Sequence, residues 1–140
     1  MKNLDNYITE KLHINKNTSI YNYFPKTKEE LRKILEERLT EDKDADLNDI
    51  DVSEITNMGV SEDLYGLFEG LDPHNIDISE WDVSKVNNMR YMFYRCYNFN
   101  CDLSKWDVSN VIKMGKMFYF CKKFNSDLSN WNVSNVKKYE

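Results

Sequence analysis

Three cysteines and two histidines are the residues with the widest chemistry in this chain, and their spacing limits what they could do. The cysteines are Cys96, Cys101 and Cys121, and the histidines are His13 and His74. No two cysteines have the C-x-x-C separation of zinc or redox sites. A glycine-rich phosphate loop, a zinc-protease helix and a nucleophile–His–Asp pattern are all missing from the sequence. We therefore predict that the chain is not an enzyme and has no catalytic residue, no metal site and no cofactor.

Composition narrows the class of protein further. The chain has 140 residues, 41% hydrophobic residues and a net charge of −5, which suits a packed domain. Negative charge disfavours electrostatic binding to nucleic acid or to an anionic membrane. No apolar run reaches the ~18–20 residues that span a bilayer, and no secretory signal is evident. We expect a cytoplasmic protein with reduced thiols, without membrane contact or direct sequence-specific nucleic-acid binding.

A 25-residue repeat is the strongest signal in the sequence. Trp81, Trp106 and Trp131 are spaced by 25 residues, and each lies in a similar decapeptide. These decapeptides are DISEWDVSKV (77–86), DLSKWDVSNV (102–111) and DLSNWNVSNV (127–136), and DLNDIDVSEI (46–55) is a degenerate copy. Downstream, the residues Met89, Met92, Phe93 and Cys96 recur as Met114, Met117, Phe118 and Cys121. One such unit cannot bury its own apolar face, so neighbouring units must stack.

The pattern within a repeat changes from extended to helical spacing. Leu103 and Trp106 suit a short strand and a corner, whereas Val111, Met114, Met117 and Cys121 step by three or four residues, which predicts a short helix. We predict an α/β fold: a short leucine-rich-repeat-like solenoid over residues 46–140, with about 3.5 rungs of strand, corner and helix. The repeat string FN-x-DLS-x-WDVSNV-x-x-M-x-x-MF-x-x-C resembles the BspA-like leucine-rich-repeat family of mycoplasma and other bacterial surface proteins. The resemblance implies a non-catalytic, ligand-binding or adhesive solenoid. The repeat is also similar to that of short proteins of phages and mobile elements.

Residues 1–45 do not repeat and are predicted to be a helical N-terminal cap, with a separate binding element as the alternative. The clearest helix covers residues 24–39, where Thr27 and Glu30 form a capping box. Leu31, Ile34, Leu35 and Leu39 give it one apolar stripe, and a weaker helix uses Leu4, Tyr7, Ile8 and Leu12. An open end of a stack exposes core and unpaired backbone, which such a helix would cover.

Two sets of repeated residues have alternative explanations. Cys96 and Cys121 should stack, either as a disulfide or, as a reducing compartment favours, as two buried core residues. The aspartates form columns (Asp46, Asp77, Asp102 and Asp127; Asp82 and Asp107) that either bind calcium or accept backbone hydrogen bonds at their own corners. The serine two residues after most of them favours the second explanation.

The outward positions of two repeats are rich in tyrosine and arginine, the residue types enriched in interface hot spots. The alternative is that these rings pack over neighbouring repeats. The candidate protein-binding residues are Arg90, Tyr91, Tyr94, Arg95, Tyr97, Lys116, Tyr119 and Phe120. We predict a protein-interaction module with a protein or nucleoprotein partner. A phage-encoded inhibitor of a bacterial defence complex, of the anti-CRISPR type, is the narrower hypothesis, and a structural or adhesive repeat protein is the alternative. The sequence leaves the oligomeric state open.

Overall fold

The structure is a computed structural model that describes residues 21–62 and 64–137. The predicted weaker helix around Leu4–Leu12 lies outside these residues, as does His13. The described residues contain one α-helix, α1, which spans Lys28–Glu41. Elsewhere in them the backbone forms turns and isolated parallel bridges, which are Tyr23–Ile50, Asp46–Asp77, Asn57–Asn88 and Asn88–Lys113.

Helix α1 begins where the capping residues predict. Thr27 is the N-cap, and its Oγ1 accepts a hydrogen bond from the Glu30 N–H at 3.1 Å. The Glu30 carboxylate in turn accepts from the Lys26 N–H at 2.8 Å, one residue before the position that a capping box uses. The first bond satisfies an amide that the first helical turn leaves without a partner, and the second ties the residue before the N-cap to the helix. The helix buries the leucines of its apolar stripe, which are Leu31, Leu35 and Leu39.

Equivalent residues of successive repeats lie next to each other. We call the ten residues from each of Asp46, Asp77, Asp102 and Asp127 a head, and the residues up to the next head a limb. In the heads, the indole of Trp106 lies 6.4 Å from that of Trp81 and 6.5 Å from that of Trp131, with the planes within 3°. The Trp106 Nε1–H donates to the Ile78 carbonyl of the preceding head at 3.0 Å. In the limbs, the rings of Phe68, Phe93 and Phe118 form a second stacked column.

The backbone bonds each limb to the next with a regular offset. The amides of Met89, Tyr91, Phe93 and Arg95 donate to carbonyls 24 residues further along the chain, which are those of Lys113, Gly115, Met117 and Tyr119. In the opposite direction, the Ile112 N–H donates to the Asn87 carbonyl at 2.9 Å. The limb 87–101 therefore directs about half of its amide hydrogen bonds along this stretch to its neighbour.

The short helix predicted for the limb is replaced by turns. In residues 111–121 the local bonds run from one amide to the carbonyl three residues back, as from Tyr119 to Lys116. Lys116 and Phe120 have φ values of 54° and 63°, which no α-helix contains. Although it is not helical, the limb still places residues that are three or four positions apart on the same side. No α-helix forms in this limb because alternate carbonyls accept hydrogen bonds from amides of the preceding limb rather than from amides of their own limb.

The first limb is longer than the others and lies very close to the second. It carries six extra residues between Met58 and Leu67. A Cβ on Gly66 would lie 1.8 Å from the Tyr91 carbonyl oxygen, and one on Gly59 would lie 2.3 Å from the Asn88 Oδ1. Glycines at both sides of the extra residues therefore keep the two limbs within hydrogen-bond distance. The buried residues of the repeats and of α1 form one hydrophobic cluster.

Candidate protein-interaction surface

The structure brings the eight candidate residues together on one surface. We call this surface the aromatic–basic face; it consists of Arg90, Tyr91, Tyr94, Arg95, Tyr97, Lys116, Tyr119, Phe120 and Lys122. The limb backbone explains the outward direction of its side chains. Tyr91 and Arg95 have positive φ values of 59° and 60°. Their counterparts in the next limb, Lys116 and Phe120, also have positive φ values, of 54° and 63°. These repeated left-handed residues separate the outward side chains from the buried methionine and phenylalanine positions.

The tyrosines and phenylalanine of the face form a continuous set of ring contacts. The rings of Tyr94 and Tyr119 are stacked at 5.9 Å with an interplanar angle of 5°. Tyr91 meets Tyr94 edge-on at 5.1 Å, and Phe120 meets Tyr119 edge-on at 4.3 Å. Contacts of this kind hold each ring in one orientation. The rings of the face therefore restrict one another's orientation.

Cationic groups lie over these rings. The Arg95 guanidinium is 5.3 Å from the Tyr94 ring centre and 5.7 Å from that of Phe120. The Lys116 ammonium is 5.3 Å from the Tyr119 ring and 5.9 Å from that of Tyr91. Cation–π contacts of this kind at exposed sites contribute about 0.5–1 kcal/mol each. They position positive charge on the outer side of the aromatic rings.

Exposure separates the rings into two groups. Tyr91 and Tyr94 are half-buried, as expected for rings that pack over a neighbouring repeat. Tyr97, Tyr119 and Phe120 are 42%, 47% and 43% exposed, which is high for large apolar side chains. Packing between repeats therefore explains the partial burial of Tyr91 and Tyr94. The other three rings remain accessible to water.

Charge is distributed unevenly along the repeats. Residues 46–86 contain eleven acidic residues and one lysine, whereas residues 112–137 contain five lysines and one aspartate. The negative charge of the repeat region thus belongs to its first part, and the aromatic–basic face is positive. Positive charge at this face favours an acidic partner surface, although the net charge of the whole chain is negative.

The aspartate columns serve their own corners. The Asp107 Oδ1 accepts from the Ser109 N–H at 3.0 Å and from its hydroxyl at 2.6 Å. The Ser109 hydroxyl is the largest cause that lowers the pKa of Asp107, and Asp77, Asp102 and Asp127 also have lowered pKa values with hydrogen bonds from serine. This arrangement confirms the corner explanation for these aspartates. Among the described residues, no group of three or more His, Cys, Asp or Glu residues could hold a metal ion.

The cysteines are free thiols that pack between repeats. The Cys96 Sγ lies 3.5 Å from the Phe68 carbonyl oxygen and the Cys121 Sγ lies 2.9 Å from that of Phe93, so both cysteines contact the limb before their own. Burial raises the pKa of Cys121 to about 11 and raises the pKa of Cys96 further. Thiols held protonated in this way are poor nucleophiles at neutral pH.

His74 contacts Asp72, which lines a depression beside the aromatic–basic face. His74 is 38% exposed at its side chain, and its Nε2 lies 3.3 Å from the Asp72 carboxylate. Asp72 and Glu69 line a depression next to Arg95 and Tyr97. His74 therefore occupies a phenylalanine position of the repeat without entering the core.

The contacts by which α1 closes the first repeat are not predicted from the sequence. The Lys28 ammonium donates to the Gly59 carbonyl at 2.8 Å, and Arg32 donates to the carbonyls of Leu67 and Glu69 at 3.0 and 2.7 Å. In the second limb the counterparts of the Gly59 and Leu67 carbonyls are those of Arg90 and Met92, which accept amide hydrogen bonds from Val60 and Phe68 of the first limb. The two cations therefore replace the amides of a preceding repeat. The only feature of the sequence that indicates this role is the four-residue spacing of Lys28 and Arg32, next to the leucine stripe of the helix.

These features define a repeat protein whose first repeat is covered by a helix and whose limbs carry an exposed aromatic–basic face. The chain belongs to the family described as "Mycoplasma protein of unknown function, DUF285", which matches residues 29–140. It is the BspA-like repeat family, so that part of the resemblance is confirmed. The match begins within α1 and includes most of that helix with the repeats. No curated protein and no solved structure matches the chain. The described part of the chain has no helix that is long and apolar enough to cross a membrane.

Proposed function

We propose that this chain is a non-enzymatic protein-interaction module of the cytoplasm. Its repeats form a short leucine-rich-repeat-like solenoid, and its aromatic–basic face binds an acidic surface of a partner protein. The observation that carries the proposal is the stacked pair of Tyr94 and Tyr119 with Arg95 and Lys116 over the rings. Rings and cations that are already ordered lose little entropy on binding.

The composition of the face supports this use. Tyrosine and arginine dominate interface hot spots because they combine large contact area with polar groups. The exposed rings of Tyr97, Tyr119 and Phe120 would bury apolar area against a partner. The surrounding cations would steer an acidic partner and make the association rate depend on salt.

Quantitative affinity capture tests the proposal. The chain would be compared with the double variant Tyr119→Ala/Phe120→Ala after covalent crosslinking in bacterial lysate, and each captured protein would then be purified and titrated. Val133→Ala is the matched control, because Val133 is 48% exposed but lies in a head outside the face. We expect a direct partner whose affinity falls about tenfold or more, equivalent to ~1.4 kcal/mol, in the double variant.

The control variant should bind as the wild type does, and the affinity of the wild type should fall as salt is raised. Equal binding by the wild type and the double variant, in spite of retained folding, would refute the face as the binding surface. Binding that is insensitive to salt would remove the acidic partner from the proposal.

A further inference from the structure

A depression between the first and second limbs is a second candidate binding site. Its volume of about 550 Å³ lies within the range of about 300–1,000 Å³ that is typical of small-molecule sites. Three residues of each limb line it, which are Glu69, Gly70, Asp72, Arg95, Tyr97 and Asn98. Both limbs have neighbours on their other sides, α1 and the limb 112–126.

The depression exists because the first limb departs from the repeat. Glu69, Gly70 and Asp72 occupy the positions that Tyr94, Arg95 and Tyr97 have in the second limb. Two rings and a guanidinium are therefore replaced by two carboxylates and a glycine. Among the described residues, a Cβ on Gly70 would come close to the Arg32 guanidinium alone, at 3.9 Å. The missing side chain leaves open space at this position.

Tyr97 gives the depression one apolar wall. Towards the following limb, its ring lies 6.3 Å from that of Phe120. Towards the first limb its counterpart is Asp72, which has no ring to stack, and Tyr97 is 42% exposed. The face of an aromatic ring packs against flat surfaces formed by C–H groups. One side of a sugar ring is such a surface.

The first limb contributes hydrogen-bond acceptors. The Glu69 carboxylate accepts from the Gly66 N–H at 3.1 Å. The Asp72 carboxylate accepts from the Asn98 side-chain amide and lies close to the His74 Nε2, each at 3.3 Å. Because an ionised carboxylate has about four acceptor sites, both groups are held in place and keep sites for a ligand.

The second limb contributes hydrogen-bond donors. The Arg95 guanidinium lies over the rings of Tyr94 and Phe120. Within residues 21–62 and 64–137, neither this guanidinium nor the Tyr97 hydroxyl has a hydrogen-bond acceptor. A ligand therefore meets groups that only accept on one wall and a group that only donates on the other. A hydroxyl both donates and accepts, so the hydroxyls of one molecule can bond to both walls.

The charges around the depression disfavour ionic ligands. An anion would meet the like charges of Glu69 and Asp72, and a cation would meet that of Arg95. The Lys122 ammonium, 5.8 Å from the Tyr97 ring, adds a second positive charge. A neutral ligand meets no such repulsion.

We propose that the depression binds a neutral saccharide. One sugar ring packs against Tyr97, and its hydroxyls donate to Glu69 and Asp72 and accept from Arg95. The site shares Arg95 and Tyr97 with the aromatic–basic face, but the inference does not rest on protein binding by that face.

Titration of the full chain with trisaccharides tests this proposal. The probes are the neutral trisaccharides of glucose, mannose, galactose and N-acetylglucosamine, and binding is measured by calorimetry and by NMR. We expect at least one of them to bind and to shift the amide resonances of Gly70 and Asn98. The anionic galacturonate trisaccharide and the cationic glucosamine trisaccharide should bind about tenfold more weakly than the best neutral probe.

Two variants and a matched control locate the site. Tyr97→Ala removes the apolar wall and should weaken binding about tenfold or more. Gly70→Phe should abolish binding by filling the depression. Gly70 has a φ of 82°, and the side chains of Arg95 and Phe120 are accommodated at the same position of their limbs with φ values of 60° and 63°. Tyr119→Ala is the control, because Tyr119 is 47% exposed but does not line the depression, and it should bind saccharide as the wild type does.

Three results would overturn the proposal. They are the absence of binding by every neutral trisaccharide, equal binding by the wild type and a folded Tyr97→Ala variant, and tighter binding of the zwitterion glycylglycine than of any saccharide. The last result would mean that the opposite charges of the two walls, rather than the ring and hydroxyl contacts, select the ligand. Because Gly70 lies outside the aromatic–basic face, lost saccharide binding by Gly70→Phe with retained capture of a protein partner would support two separate sites.

Discussion

Replacing Trp106 should cost far more stability than replacing Trp131, although the two residues occupy the same position of the repeat. Trp106 is 4% exposed, stacks on an indole at each side and donates to a buried carbonyl. Truncation of a buried aromatic residue to alanine costs about 3–5 kcal/mol, and loss of two ring contacts places Trp106→Ala at the upper end of that range. Trp131 is half-buried and has one indole neighbour, so Trp131→Ala should cost roughly half as much, ~2 kcal/mol.

Urea unfolding followed by circular dichroism measures both values, since it does not depend on the fluorescence of the indole that is removed. Trp106→Phe is the control, because it keeps a ring in the column and removes the hydrogen bond to Ile78, with an expected cost of ~1–2 kcal/mol. Equal losses of unfolding free energy for Trp106→Ala and Trp131→Ala would refute the reasoning. They would mean that a second neighbouring repeat adds no stability at this position.

Four further predictions concern the closure, spacing, acid sensitivity and thiols of the stack. Lys28→Met should destabilise the chain by ~1–3 kcal/mol in urea, since it leaves the Gly59 carbonyl without its cation. Gly66→Ala should destabilise it by ~2 kcal/mol or more, because the new Cβ would overlap the Tyr91 carbonyl, and unchanged stability would contradict that close approach. The folded-state pKa of Asp107 is lowered, so its contribution to the stability of the fold is present above its ordinary pKa of ~4 and is lost as pH falls through the folded value. In an acid titration, Asp107→Asn should therefore lose less stability than the wild type. Cys96 should react with iodoacetamide much more slowly than Cys101 in the folded chain, and at a similar rate in urea.

The sequence predicts the features that depend on local chemistry or on strict periodicity. Thr27 and Glu30 locate the start of α1, because a capping box needs only neighbouring residues. The interval between Trp81 and Trp106 predicts that equivalent side chains are neighbours. The serine two residues after Asp107 predicts its corner role. The candidate residues of the aromatic–basic face follow from the same alignment, since outward positions recur with the repeat.

The features that the sequence does not predict arise from contacts between distant backbones. The spacing of Met114, Met117 and Cys121 is compatible with a helix, but hydrogen bonds to the neighbouring repeat favour turns instead. Lys28 and Arg32 look like ordinary solvated helix residues until the carbonyls of the first limb are placed beside them. Such cross-repeat pairing leaves no pattern in a single sequence.

Amide hydrogen exchange resolved by residue tests most directly the claim that each repeat is bonded to the next. Phe93 and Phe118 have equivalent positions and side chains. The amide of Phe93 donates to the following limb, to the Met117 carbonyl at 3.0 Å, whereas the amide of Phe118 has no acceptor within residues 21–62 and 64–137. We predict slow exchange at Phe93 and fast exchange at Phe118 in the isolated chain under native conditions. Equal exchange at the two amides would contradict the stacked arrangement on which the proposed interaction surfaces depend.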